Sequence, residues 1–193
     1  AYGVRMGLEC IGFYESKDFD MDGELNLGQP VPLFGAVQPG DLKYKDKDGD
    51  GFIDDTDVIK IGEPAYPSAV LSLGSELNWK GFDFSVLFTG SFGGTVNLLD
   101  YPQWRAFENY GTAFEWAKGA WVFYPEAKLD TRDTATYPRL STSTNDNNYH
   151  ASSFWIRKNN WLRLQNIEFG YELSNIPAVR NVGLHRCRVY INA

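Results

Sequence analysis

Alternation with a period of two dominates the middle of the chain. From Ser68 to Trp79 the odd positions read Ala69, Leu71, Leu73, Ser75, Leu77 and Trp79, and the even ones Ser68, Val70, Ser72, Gly74, Glu76 and Asn78. Successive side chains of a strand point to opposite faces, so this spacing predicts a strand with one apolar and one mostly polar face. After Lys80-Gly81 the pattern resumes, with Phe82, Phe84, Val86 and Phe88 against Asp83, Ser85, Leu87, Thr89 and Ser91, and the two runs read as a hairpin. Two more strands are expected near the end. Leu162 to Leu173 sets Ile167, Phe169, Tyr171 and Leu173 against Asn166, Glu168, Gly170 and Glu172; Leu184 to Asn192 alternates Cys187, Val189 and Ile191 with Arg186, Arg188, Tyr190 and Asn192. Ser174-Asn175-Ile176-Pro177 terminates the first of them. The opening 40 or so residues read as short strand pieces broken by glycine and proline, ending in Gln38-Pro39-Gly40.

Strand length, a tight turn and Trp79 and Phe82 beside that turn match a transmembrane hairpin, whose apolar face meets lipid. In a soluble sandwich the same alternation turns the apolar face inward, and periodicity alone leaves these two level. Residues 93–160 are polar and aromatic, with a short helix expected at Thr112 to Val122 and a low-complexity run from Ser141 to Asn148. A structureless connection of that length counts against a compact domain, whereas barrels carry long external loops. The expected fold is all-β: an antiparallel transmembrane β-barrel segment, an incomplete barrel, with long extracellular loops.

Composition sharpens this. The chain has 193 residues, 13 Phe, 11 Tyr and 6 Trp, more rings than a compact core of that size needs, so some are expected to face something other than water. A formal charge of −7 argues against nucleic acid and against a basic lipid-binding patch. Cys10 and Cys187 lie near opposite ends, without zinc or redox spacing; two unrelated thiols are the favoured reading, with a distant disulfide as the alternative. No run reaches the roughly 18 apolar residues of a membrane-spanning helix. Ala1-Tyr2-Gly3-Val4-Arg5 opens as strand-like sequence and the last strand stops at Ala193, so the chain is read as cut from something longer.

Much of the acid sits between Asp46 and Asp57. Counting from Asp46, oxygen side chains stand at positions one, three, five, nine and twelve (Asp46, Asp48, Asp50, Asp54, Asp57), with Gly51 at six and Ile53 at eight. That is the spacing of a calcium loop, in which alternate carboxylates converge on an ion taking six to eight oxygens, and glycine permits the sharp turn. Phe52 is expected to offer its carbonyl and Ile53 to point inward. Asp57 stands where a longer Glu would ligate with two oxygens, implying weaker ligation there. The flanks Leu42-Lys43-Tyr44-Lys45 and Val58-Ile59-Lys60-Ile61 are β-like, so this is a calcium loop without its helices, and its expected role is structural.

These residues together carry a resemblance. Pro39-Gly40-Asp41-Leu42-Lys43-Tyr44-Lys45-Asp46 runs into Gly49-Asp50-Gly51-Phe52-Ile53-Asp54 and Ile61-Gly62-Glu63-Pro64. Gly81-Phe82-Asp83-Phe84-Ser85, Tyr137-Pro138-Arg139-Leu140 and Trp161-Leu162-Arg163-Leu164-Gln165-Asn166-Ile167-Glu168-Phe169-Gly170-Tyr171 follow. In order and spacing the chain resembles the C-terminal barrel region of SusC-like TonB-dependent outer-membrane transporters of the RagA/SusC family, from Bacteroidetes. The resemblance implies a partial barrel over 1–193, a Gram-negative outer-membrane location, a SusD-like lipoprotein lid, energy through TonB, and an oligosaccharide or peptide cargo. A soluble calcium-stabilised carbohydrate-binding module is the competing reading.

Catalysis is not expected. His150 and His185 are the only histidines and stand in unlike contexts, and no nucleophile-and-base spacing appears. Trp104, Trp116, Trp121 and Trp155 could stack on sugar, but knitting the long connection together is the favoured role.

Overall fold

The computed structural model describes residues 3–108, 111–181 and 186–193. His185 and Leu184, the first residue of the last expected strand, lie outside them. Strands run in the order β1 (Arg5–Gly7), β2 (Cys10–Phe13), β3 (Val31–Pro32), β4 (Leu42–Tyr44), β5 (Phe52–Ile53), β6 (Ile59–Gly62), β7 (Ala69–Trp79) and β8 (Phe82–Phe92). They continue as β9 (Thr95–Asn97), β10 (Phe123–Tyr124), β11 (Leu129–Asp130), β12 (Ile156–Lys158), β13 (Trp161–Glu172) and β14 (Arg188–Asn192). The one α-helical segment among the described residues is α1 (Pro177–Asn181). The chain forms two compact units, Ala1–Ala65 with Val96–Arg157, and Tyr66–Thr95 with Lys158–Ala193.

The second unit is a four-stranded antiparallel sheet in the order β14, β13, β8, β7. Trp79 pairs with Phe82 across the turn, where Lys80 has φ 50° and Gly81 φ 90°. Two positive φ values are what a two-residue turn needs to match strand twist. Glycine adopts them freely, while a lysine there costs about 1 kcal/mol.

Register builds a continuous apolar face: Leu71, Leu73, Leu77 and Trp79 on β7; Phe82, Phe84, Val86 and Phe88 on β8; Leu162, Leu164, Ile167, Phe169 and Tyr171 on β13; Val189 and Ile191 on β14. The apolar positions of β13 change phase between Leu164 and Ile167. A bulge at that point supplies the extra residue, so both halves of the strand keep their apolar side chains on one face. The opposite face carries a hydroxyl and amide ladder, Ser72, Thr89 and Gln165, and Arg188 bridging Asp83 and Glu168.

The first unit has a small core of Leu8, Leu42, Tyr44, Ile53, Ala120, Tyr137 and Trp155. Its strands are short pairs: β1 with β6 and β2 with β4, both antiparallel, and β3 with β5 in parallel. Residues 93–160 are irregular without being structureless. The Ser/Thr/Asn run lies inside this unit, with Asn145, Asn147 and Asn148 buried. Asp41, wholly buried, accepts from the side-chain amides of Asn145 at 2.9 Å and Asn148 at 2.8 Å and from the Gln38 N–H at 2.8 Å, and pairs with Arg139. Asn148 in turn accepts from Leu42 N–H, Asn147 donates to the Leu42 carbonyl, and the Trp155 indole donates to the Asn148 carbonyl. These side chains satisfy backbone groups that regular structure would otherwise satisfy.

The helix expected at Thr112 to Val122 is instead a 3-10 segment, Glu115–Gly119. After one turn the backbone is captured by the Tyr137 segment: Thr136 and Tyr137 donate to the Gly119 carbonyl and Trp121 donates to that of Tyr137. Tertiary pairing overrides the helical spacing of Phe114, Ala117 and Trp121. Gly40, at φ +94°, sits under the Trp121 ring, which a Cβ would approach to 2.5 Å. This close approach needs glycine.

Replacing Asp41 by Ala should therefore lower the stability of this unit by about 3–5 kcal/mol, because Arg139 and three donors lose their buried acceptor. Denaturant titration of the purified protein checks this. A loss under about 1 kcal/mol would show that the knot is dispensable.

Candidate functional site

Two features stand out chemically: the acidic loop of the first unit and the apolar face of the second. The loop hangs between β4, which pairs with β2, and β6, which pairs with β1. Within it β5 lies parallel to β3, with Val31 N–H on the Gly51 carbonyl at 3.0 Å and Leu33 N–H on the Ile53 carbonyl at 3.0 Å. Carbonyls alternate along a strand, so the Phe52 carbonyl faces away from β3. Ile53 is fully buried in the core, which fixes the loop's orientation.

Asp46, Asp48 and Asp50 each bring one carboxylate oxygen within 4.8 Å of the others. A calcium ion holds its ligands at 2.3–2.6 Å, so oxygens on opposite sides of it stand about 5 Å apart. The three carboxylates fit around one ion. They form no ion pair with a lysine or arginine among the described residues, since Lys47, their neighbour, reaches Glu9 at 2.6 Å instead. That contact holds the Glu9 carboxyl below its usual range. Each pair of carboxylates at such a distance repels by about 1 kcal/mol even at the dielectric of water.

The remaining expected ligands are placed differently. Asp57 is buried, and its two oxygens accept the N–H groups of Lys47 at 2.5 Å and Asp54 at 3.1 Å. It clasps the two ends of the loop together. Asp54 caps the 3-10 turn Asp55–Asp57 and accepts both the hydroxyl and the N–H of Thr56, which hold its carboxyl below the usual range. The same Thr56 hydroxyl lies 2.9 Å from Asp48, so its one proton is shared between the two carboxylates. The structure thus groups the first three carboxylates and gives the last two a scaffolding role.

A second run, Asp18-Phe19-Asp20-Met21-Asp22-Gly23, has the same early spacing, and the fold disperses it. Asp18 is buried, capping a turn and receiving Lys43 at 3.1 Å, while Asp20 accepts the N–H groups of Asp22 and Glu24 within a tight hairpin. Spacing alone does not make carboxylates converge.

Histidine and tryptophan occupy structural positions. His150 stacks on Phe34 with centroids 3.9 Å apart, and burial lowers its pKa. Trp155 and Trp121 are buried, and Trp104, Trp116 and Tyr137 form a continuous stack. They knit the unit together. Cys10 and Cys187 are free thiols in different units, and burial raises the pKa of Cys10.

Among the described residues nothing covers the sheet's apolar face. Leu73 is 72% exposed and Ile191 74%, and Leu71, Leu77, Trp79, Phe82, Phe88, Leu162, Leu164, Phe169 and Val189 are exposed beside them. Transfer of one such side chain out of water is worth about 1.5–3 kcal/mol. The sum over the face is on the order of 20 kcal/mol, above the whole net stability of an ordinary domain.

No family model matches the chain. TonB-dependent receptor P3 of Formosa agariphila is 26% identical over 192 residues, covering 100% of the chain and 17% of the receptor. TonB-dependent receptor P26 of the same organism is 28% identical over 193 residues, covering 97% and 17%. The chain therefore spans about a sixth of the length of these curated relatives. Among solved structures, the RagAB peptide importer in its closed-closed state superposes with a TM-score of 0.54 at 17% identity, over 97% of this chain and 18% of that one. The RagAB peptide transporter gives 0.54 at 18%. From end to end, then, the chain is similar in sequence to one stretch of TonB-dependent receptors, and similar in fold to one stretch of RagAB.

Proposed function

We propose that this chain supplies four adjacent strands to the wall of an outer-membrane transport barrel, together with folded connections on its extracellular side. The full protein takes up a nutrient, an oligosaccharide or a peptide, across the outer membrane of a Gram-negative bacterium. It draws energy through TonB and works with a SusD-like lipoprotein. The observation that carries the reading is the uncovered apolar face opposite a polar, ion-paired one, which is how a barrel wall is built between lipid and lumen. A soluble calcium-stabilised module has to cover such a face, and these side chains are exposed. The receptors matched along the chain support the transport role. RagAB, similar to the chain in fold, is a peptide importer, which makes peptide as reasonable a cargo as glycan.

Within this reading the acidic loop holds a structural calcium ion on Asp46, Asp48 and Asp50, with the Phe52 carbonyl and water completing its shell. The ion supplies positive charge that relieves carboxylate repulsion, and it pins β5 between β4 and β6.

Arginine in place of Leu73, near the middle of β7 on the apolar face, should cost about 2–4 kcal/mol of insertion free energy in the full-length protein. Glu76→Arg, on the opposite face, should leave the heat-modifiable barrel band in gel electrophoresis unchanged. Equal damage from both would refute the assignment of faces. For the loop, calcium should raise the thermal midpoint and a chelator should lower it. Asp48→Ala is expected to abolish that difference while sparing the calcium-free midpoint. Asp57→Ala should lower the midpoint even without calcium, because two N–H groups at the ends of the loop lose their buried acceptor. A melting curve indifferent to calcium would retire the ion.

A further inference from the structure

Lys80 stands where the backbone favours another residue. Its position in the turn, at φ 50°, suits Asn or Gly, and strain at a surface turn is a reason to ask what the side chain does there. Its ammonium lies 5.1 Å from the centre of the Trp79 ring. The ion pairs at this end of the sheet belong to Arg188, with Asp83 and Glu168 on the opposite face, and Lys80 makes none among the described residues. Beside it, Leu77, Trp79, Phe82, Phe84 and Phe169 line an open groove of about 330 Å³, together with Asp83, whose carboxylate is taken by Arg188. Tyr171 packs on Phe82 at 4.4 Å and widens the aromatic rim.

A cation over the ring that forms one wall of an apolar groove is complementary to an anionic amphiphile. A soluble anion would leave the groove unused, and an acyl chain alone would leave the cation unused. We propose that this end of the sheet is a phospholipid site, in which the Lys80 ammonium takes the phosphodiester and the groove takes one acyl chain; the proposal rests on the barrel reading above. Two-residue turns of such barrels lie on the periplasmic side, where the facing leaflet is phospholipid. The Trp79 ring holds the ammonium at the depth of the headgroups, where aromatic side chains with one wet and one apolar end settle.

The test uses the full-length protein, delipidated in detergent and titrated with phosphatidylglycerol while native mass spectrometry counts bound lipid. Lys80→Asn removes the cation and suits the turn better than lysine, so loss of fold does not account for its effect. It should weaken binding about fivefold, the share of one lysine at a lipid surface. Lys80→Arg should retain binding, and Lys60→Asn, on β6 of the other unit, should match wild type. A detergent-dependent protein whose Lys80→Asn variant binds the lipid as tightly as wild type overturns this site and leaves the barrel standing. A full-length protein that stays monodisperse without detergent overturns both.

Discussion

A sheet that sorts its side chains by face has to place its apolar face against something other than water, and the second unit does this sorting over four strands. Every local device in that unit preserves the sorting. The tight Lys80-Gly81 turn sets β7 against β8 without a slip, so Leu77 faces Phe84 and Leu73 faces Phe88. The bulge between Leu164 and Asn166 returns β13 to phase. The ion triad of Arg188 with Asp83 and Glu168 keeps charge on the other side. A register error of one residue would turn the apolar set toward the polar face and Arg188 with its carboxylates toward the apolar face, so register here is strongly specified.

The first unit solves a different problem. It has few long strands and a small core, and it orders irregular backbone with buried polar side chains. Asp41 is the hub, joining the segment before β4 to the asparagine run more than a hundred residues later. At the centre of the network the acceptor oxygens of Asp41 are each engaged. The same unit suspends the acidic loop, whose ends Asp57 clasps and whose middle Ile53 anchors in the core. That anchoring holds three carboxylates, half-buried Asp46 and exposed Asp48 and Asp50, within reach of one ion.

The strands of the sheet were legible in the sequence because their pattern is local and periodic: β7, β8 and β13 begin and end within a residue or so of the alternating runs. The two-residue turn and the β-like flanks of the acidic loop were legible for the same reason. What periodicity could not decide was which medium the apolar face meets, since Leu73 alternates identically in a sandwich and in a barrel. The 93–160 connection was illegible for a physical reason. Its order comes from Asn145, Asn147 and Asn148 reaching Asp41 and Leu42, and contacts that distant leave only a low-complexity polar run in the sequence. Likewise the calcium spacing named five carboxylates, while backbone geometry groups three and uses Asp54 and Asp57 to close the loop.

That one face of this sheet lies against lipid and the other against an aqueous lumen is tested most directly by residue-by-residue accessibility in a bilayer. Spin labels placed singly from position 70 to position 78 of the full-length protein, reconstituted in vesicles, report collision with oxygen and with a water-soluble nickel chelate. A period of two is expected, with Leu71, Leu73 and Leu77 favouring oxygen and Ser72, Gly74 and Glu76 favouring the chelate. Uniform access of the chelate to all of these positions, or uniform exclusion without alternation, would contradict it.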